Sequence, residues 1–320
     1  MTYRDAPENV FKQLIDQYKD KYQISIGFNQ EVTKEETDVE KAVRQLALDN
    51  NVQIKEYWTT TLYHPDDLPF NNPKAFPHVF THFRTALEKQ GVRVRRLINT
   101  PTTFKPIPDG TVPNAIPSLL GFGYPSTKKT WICFGLLLFV LDMTAHSKSV
   151  FSFEGGESSG LEHLQNYIWN KNLARTYKQT RNSLTGSENS TKFSPWLSNG
   201  SLSPRQVFFE LKRYENEQAA SDAGYWIIFE LLWRDFFKFI AMKYGNRIFY
   251  ARGLRSEPYV WKQNLQQFEA WKSTRSEKHD LLVRDCLVYF QRDIQVFHLS
   301  MQTCERLCRR VGCPIEDDRM

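Results

Sequence analysis

YWIIFELLWRDFFKFI, residues 225–240, is the stretch that decides how this chain reads. From Trp226 to Ile240 it is apolar nearly all round, as a helix inside a protein core is. Glu230, Arg234 and Lys238 break it at intervals of four, which places them on one polar line. Buried charge is costly unless it is paired or bound to something polar. Two readings stand side by side. The line borders a cavity for a polar, planar ligand, or it is a self-satisfied ion pair turned to solvent.

Upstream of this helix the signals are helical back to residue 154. Leu161, Leu164 and Ile168 mark one face, and Ser194-Pro195 and Ser203-Pro204 each read as an N-cap followed by a first helical residue. The run Ser190-Thr191-Lys192-Phe193-Ser194 sets hydroxyls and a lysine directly before a helix start. Free N–H groups and the positive dipole end make such a place a seat for phosphate. Plain capping by Ser194 is the other reading. Between Trp169 and Arg213 eight Lys or Arg face two Glu, 8 − 2 = +6, which equals the net charge of the whole chain. Lys171, Arg175 and Lys178 fall at i, i+4 and i+7, so one helix is expected to carry them on one face. With Trp169, Tyr177, Trp196 and Trp233 nearby in sequence, they suit single-stranded or flipped bases; a solvated basic face is the alternative.

The first hundred residues change register. Val10, Leu14 and Tyr18 follow Pro7 at helical spacing, and Ile24, Ile26 and Phe28 then alternate as a strand does. Thr37 is read as the cap of a helix carrying Val39, Val43, Leu46 and Ala47. Val52 and Ile54 alternate again, and a helix after Pro77 carries Val79, Phe83 and Leu87. This is βα punctuation and predicts a parallel sheet, though with only two clear strands. PTTFKPIPDGTVPNAIPS is a Pro-rich connector. The apolar run Trp131–Leu141 shows no amphipathic period and is too short to span a bilayer. No membrane association is expected. Five cysteines without an apolar leader point to a reducing, intracellular setting, in nucleus, cytoplasm or an organelle. Cys304, Cys308 and Cys313 lack CxxC spacing, the seven histidines lack ligand spacing, and no metal site is assigned.

Several segments carry a resemblance to a known family. GGESSGLEHL (155–164), YKQTRNSLTG (177–186), STKFSPWLSNGSLSPRQV (190–207) and FELLWRDFFKF (229–239), in this order, resemble the start of the flavin-binding helical domain of cryptochromes and DNA photolyases, the DASH branch above all. QEVTKEETDVE (30–40), TTTLYHPDDLPF (59–70) and FPHVFTHFRTALE (76–88) are similar to the second half of that family's α/β antenna domain. The resemblance covers roughly 5–105 and 153–272.

It implies an α/β domain followed by an all-α one: an incomplete parallel-sheet domain at 1–105, a connector with an atypical apolar insertion at 106–152, the first part of an FAD-binding helical domain at 153–272, and an unmatched tail at 273–320. By resemblance the cofactor is FAD, with a folate antenna in many members. The activity is light-driven repair of cyclobutane pyrimidine dimers, preferentially in single-stranded DNA, or blue-light reception, by a monomer. Carried over by motif, Tyr177, Ser190, Thr191, Lys192, Phe193 and Ser194 line the adenosine and phosphate region of FAD. Glu230 and Arg234 face the flavin, and Trp233 stacks on the extruded dimer beside the basic Lys171, Arg175 and Lys178. The family's electron-transfer tryptophans fall outside the matched segments, so no catalytic residue is assigned. Weak or absent FAD binding is expected of residues 1–320, with Trp226, Phe229, Phe236 and Phe239 left uncovered. The competing reading is a non-catalytic module that keeps only a nucleic-acid or protein contact surface.

Overall fold

The computed structural model describes residues 5–109, 129–134, 137–142, 151–183, 186–218, 224–250 and 254. These fall into two compact units. The first gathers described residues of 1–152, 203–206 and 230–248, and the second those of 153–202, 207–229 and 249–320.

The first unit is built on a βα pattern. Helix α1 (Pro7–Tyr18) leads to strand β1 (Ser25–Asn29), helix α2 (Lys34–Asp49) and strand β2 (Gln53–Tyr57). The strands pair in parallel, Ile26 opposite Ile54, as their connection through a helix requires. Ile15, Ile26, Val43 and Ala47 form the buried centre, with Phe11, Ile24, Phe28, Leu46, Val52 and Ile54 packed around it. Two details differ from the reading of the sequence. Helix α2 starts a turn early: Thr33 is its N-cap, and Thr37 lies inside it, donating to the Lys34 carbonyl at 3.2 Å. Val39 is exposed, while Glu40 is buried in its stead. The Glu40 carboxylate accepts from the Glu31 amide at 2.6 Å and from Arg44 at 2.9 Å, so its burial is matched by donors.

A second, aromatic core lies in the same unit. Helix α3 (Phe80–Lys89) buries Phe80, Phe83 and Leu87, with Val79 only as its N-cap. Phe83 lies 5.7 Å from Phe236 and 5.8 Å from Phe239, and Trp58 stacks on Phe239 at 6.1 Å. Phe236 and Phe239 are therefore buried, not left uncovered. The apolar run 131–141 also finds a partner. Strands β3 (Lys129–Phe134) and β4 (Leu137–Asp142) pair antiparallel, Lys129 opposite Asp142, so the run folds back on itself. From Val92 to Asp109 the chain forms no helix or strand.

The second unit is helical: α4 (Glu157–Gln165), a π-turn at Asn166–Asn170, a 3₁₀ turn at Leu173–Arg175, α5 (Tyr177–Thr180), α6 (Ser194–Asn199) and α7 (Pro204–Glu217), whose first residues belong to the first unit. Helix α8 (Tyr225–Tyr244) gives its first residues to this unit and those from Glu230 to the other. Parallel sheet and helices are thus both present, as the α/β-then-helical reading requires. Among the described residues no helix is long and apolar enough to cross a membrane. The tail 273–320, with its cysteines, lies outside the described residues.

Candidate functional site

In the first unit the functional side chains hang from α8 and meet the loop after β2. Arg234 donates to the Thr60 carbonyl. Lys238 donates to Thr60 Oγ1 and to Glu31, both at 2.7 Å, and its ammonium lies 5.1 Å from the Trp58 ring centre. The polar line is therefore neither a bare pocket wall nor a solvent-facing pair. Arg234 and Lys238 are engaged in holding a loop. Burial lowers the pKa of Arg234, with Asp235 and Glu31 pulling it back up. Glu230 lies half-buried one turn before Arg234.

The residue that sequence reasoning passed over is Asp235. It is fully buried. One carboxylate oxygen accepts from the Leu62 amide and the other from the Tyr63 amide, each at 2.9 Å. Burial pushes its carboxyl up to about 7, while the two amides, then Arg234 and Lys238, pull it down. Its signal was present: an acid between Arg234 and Phe236 on the apolar side of a core helix needs a reason as much as the polar line does. Trp233 is half-buried and stacks on Phe80 at 3.7 Å, so one of its ring faces is already occupied.

In the second unit the run Ser190–Ser194 forms a bend leading into α6. Ser194 is the first helical residue, and Phe193 holds the N-cap position without any side-chain cap bond. Capping by Ser194 is therefore corrected: burial of Phe193 fixes where the helix begins. Phe193 packs edge-on against His163 at 5.5 Å and Tyr167 at 5.6 Å. Lys192 has φ 55°, the left-handed region that costs a side-chain-bearing residue about 1 kcal/mol or more. His163 Nε2 lies 2.8 Å from the Thr191 carbonyl, which can only accept, so Nε2 carries the proton. Burial lowers the His163 pKa, which keeps the ring neutral. The hydroxyls of Ser190, Thr191 and Ser194 have no partner among the described residues. Tyr177 is buried on α5, and burial raises its phenol pKa. Replacing His163 by Phe keeps the ring and removes the donor. Urea unfolding should show a loss of about 1 kcal/mol, and amide exchange should quicken across 190–194; unchanged exchange there would count against the bond as the loop's anchor.

The basic stripe does not form as a stripe. The π-turn ends at Lys171, Asn172 is left-handed with φ 60°, and a 3₁₀ turn separates it from α5. Lys171, Arg175 and Lys178 share no helix face, because Asn170 and Asn172 end one helix before the next begins. Lys171 pairs with Glu188 at 2.5 Å, and Arg175 is exposed. Lys178 instead joins Arg181, which lay outside the expected stripe. Arg181 lies 4.8 Å from the Trp226 ring and 5.8 Å from Phe229, with Lys178 5.6 Å from Trp226. This is a cation–aromatic platform of the kind that takes stacked bases. Trp226 and Phe229 are half-buried against it.

Comparison with known proteins places the chain. The family model for DNA photolyase matches residues 1–105. Cryptochrome DASH of Danio rerio is 41% identical over 270 residues, 84% of this chain and 48% of that protein. The crystal structure of a Synechocystis cryptochrome superposes with a TM-score of 0.72 at 37% identity, over 84% of this chain and 51% of its own. An archaeal photolyase from Sulfolobus tokodaii, described with two FAD molecules, shares the fold at a TM-score of 0.51 and 20% identity, covering 83% of this chain and 49% of its own. The chain spans about half the length of the relatives it matches.

Proposed function

We propose that this chain, a relative of the DASH-type cryptochromes in the cryptochrome/DNA photolyase family, is a flavoprotein that holds the diphosphate of FAD at Ser190–Ser194. The observation that carries this is the start of α6. Three hydroxyls without partners among the described residues, a lysine ammonium and a helix start without a side-chain cap gather within five residues. Their chemistry fits a diphosphate, which takes hydroxyl and N–H donors and a positive charge. Tyr177, in the same unit, supplies a buried aromatic body for the adenosine end. When bound, FAD supplies light-driven one-electron chemistry. The chain's own residues bind and orient: Phe193 fixes the loop, His163 holds its carbonyl, and the hydroxyls meet the phosphates.

By kinship the activity is repair of cyclobutane pyrimidine dimers in single-stranded DNA or blue-light reception. On this reading residues 1–105 are the antenna-type domain and 153–272 the flavin-binding part. The test is competition. Added FAD should bind weakly, and ADP should displace it while riboflavin does not, because the seat reads phosphate. The triple variant Ser190→Ala, Thr191→Ala, Ser194→Ala should bind FAD at least tenfold more weakly. Equal affinity in that variant would remove the seat.

A second reading, a nucleic-acid contact surface without flavin, is favoured by the platform of Arg181, Lys178 and Trp226. On either reading single-stranded DNA should bind with steep salt dependence. Arg181→Gln with Trp226→Leu should lower its affinity about tenfold, at roughly 1–3 kcal/mol per stacked base. DNA binding without any flavin uptake would select the second.

A further inference from the structure

We propose that the arginine-lined groove following α3 is a binding site for an oligophosphate-bearing ligand. The groove, about 520 Å³ and open to solvent, is lined by Asp67 and the run Val92 to Arg96. Its volume lies in the range of small-ligand clefts. In an extended run successive side chains point to opposite sides. Val92 and Val94 are half-buried, and Arg93 and Arg95 are exposed between and beyond them. Arg95 is fixed by two hydrogen bonds to Asp67, at 2.6 and 2.8 Å. Arg93 and Arg96 have no hydrogen-bond or ion partner among the described residues. Three guanidiniums stand against Asp67 and against Asp66, which lies 3.9 Å from Arg95, leaving 3 − 2 = +1 at the groove.

Two further observations point the same way. No backbone hydrogen bond joins residues 93–96 to any described residue, so peptide N–H donors stand beside the guanidinium forks. Arg205, in the same unit, has a buried Nε with no partner. His64 lies within the field of both Arg95 and Arg205: burial first, then these charges, lower its pKa, against Asp66 and Asp67, which raise it. Planar guanidinium forks bind phosphate oxygens bidentately, which a lysine patch would not. The inference is independent of the flavin reading, whose residues lie at α5 and α6.

Calorimetric titration of residues 1–320 with inorganic tripolyphosphate at low salt tests it. Saturable binding at one site per chain is expected, and Arg93→Gln/Arg96→Gln should weaken it at least tenfold. Both side chains are exposed and have no partner among the described residues, so this variant should keep the wild-type circular dichroism. Lys19→Gln/Lys21→Gln, outside the groove lining, should bind as wild type. A deoxythymidine decamer titrated in competition separates the sources. If it displaces tripolyphosphate, the phosphates come from a nucleic-acid backbone, and if it does not, from a free small molecule; either supports the site. The site is overturned if no saturable binding occurs, if the arginine variant binds unchanged, or if a hexaglutamate peptide binds there as tightly as tripolyphosphate.

Discussion

Asp235→Ala is expected to lower stability by about 3–5 kcal/mol, the loss that follows when one partner of a buried charged network is removed. Asp235 is fully buried, and its two oxygens take two consecutive amides, those of Leu62 and Tyr63, at 2.9 Å. Removal strands both amides and takes one negative charge from beside Arg234 and Lys238, which keep only Glu31. At roughly 2–4 °C per kcal/mol for a unit of this size, the midpoint should fall by at least about 6 °C. Asp235→Asn should be nearly as harmful, because one amide would then face an NH₂ group. A midpoint drop under about 3 °C for either would show that the loop is held elsewhere. The pH dependence has a definite sign. A carboxyl raised from 3.8 to about 7 binds its proton more tightly in the folded state. Its contribution is complete below about pH 4 and is lost as pH rises through 7, amounting to about 4 kcal/mol at 1.36 kcal/mol per unit. The gap between wild type and Asp235→Asn should therefore be wider at pH 5 than at pH 7.5.

The parts of this molecule legible in the sequence are those governed by period. Ile26 and Ile54 alternate with polar neighbours and pair across a parallel sheet, while Val43 and Ala47, four apart, fall on the buried face of α2. The segments of the candidate phosphate seat were legible too, because a Ser-Pro pair marks a helix start by local chemistry alone. What was lost needed either a break in period or a distant partner. The i, i+4, i+7 spacing of Lys171, Arg175 and Lys178 assumes an unbroken helix, and Asn172 in the left-handed region breaks it. The Asn-Lys-Asn run was the available warning. Asp235 could not be placed by period, since its partners are backbone amides 172 and 173 residues away, which carry no side-chain identity. Ser194 failed as a cap for a related reason. Burial of the Phe193 side chain outweighs the roughly 1 kcal/mol that a capping hydroxyl contributes.

Phe193→Ala is expected to be the most damaging change in the second unit. Phe193 is 2% exposed, and its ring lies between His163 and Tyr167. Truncation of a buried Phe to Ala costs about 3–5 kcal/mol, part transfer and part cavity. The loss has a specific address. Lys192, the residue before it, is held at φ 55°, a conformation the chain abandons unless its surroundings impose it. Phe193 is the anchor that imposes it, and Thr191, bonded through its carbonyl to His163, is the other. With the anchor gone, Ser190 to Ser194 should lose their arrangement before the helices around them do. Amide exchange across 190–194 should therefore accelerate more than exchange in α7. Affinity for FAD and for ADP should fall together, since both use the phosphate seat. Phe193→Leu, which refills most of the space, should restore the larger part of both stability and ADP binding. If Phe193→Ala lowers stability by the expected amount but leaves ADP binding intact, then the hydroxyls at 190–194 do not form the phosphate seat, and Phe193 is a core residue alone.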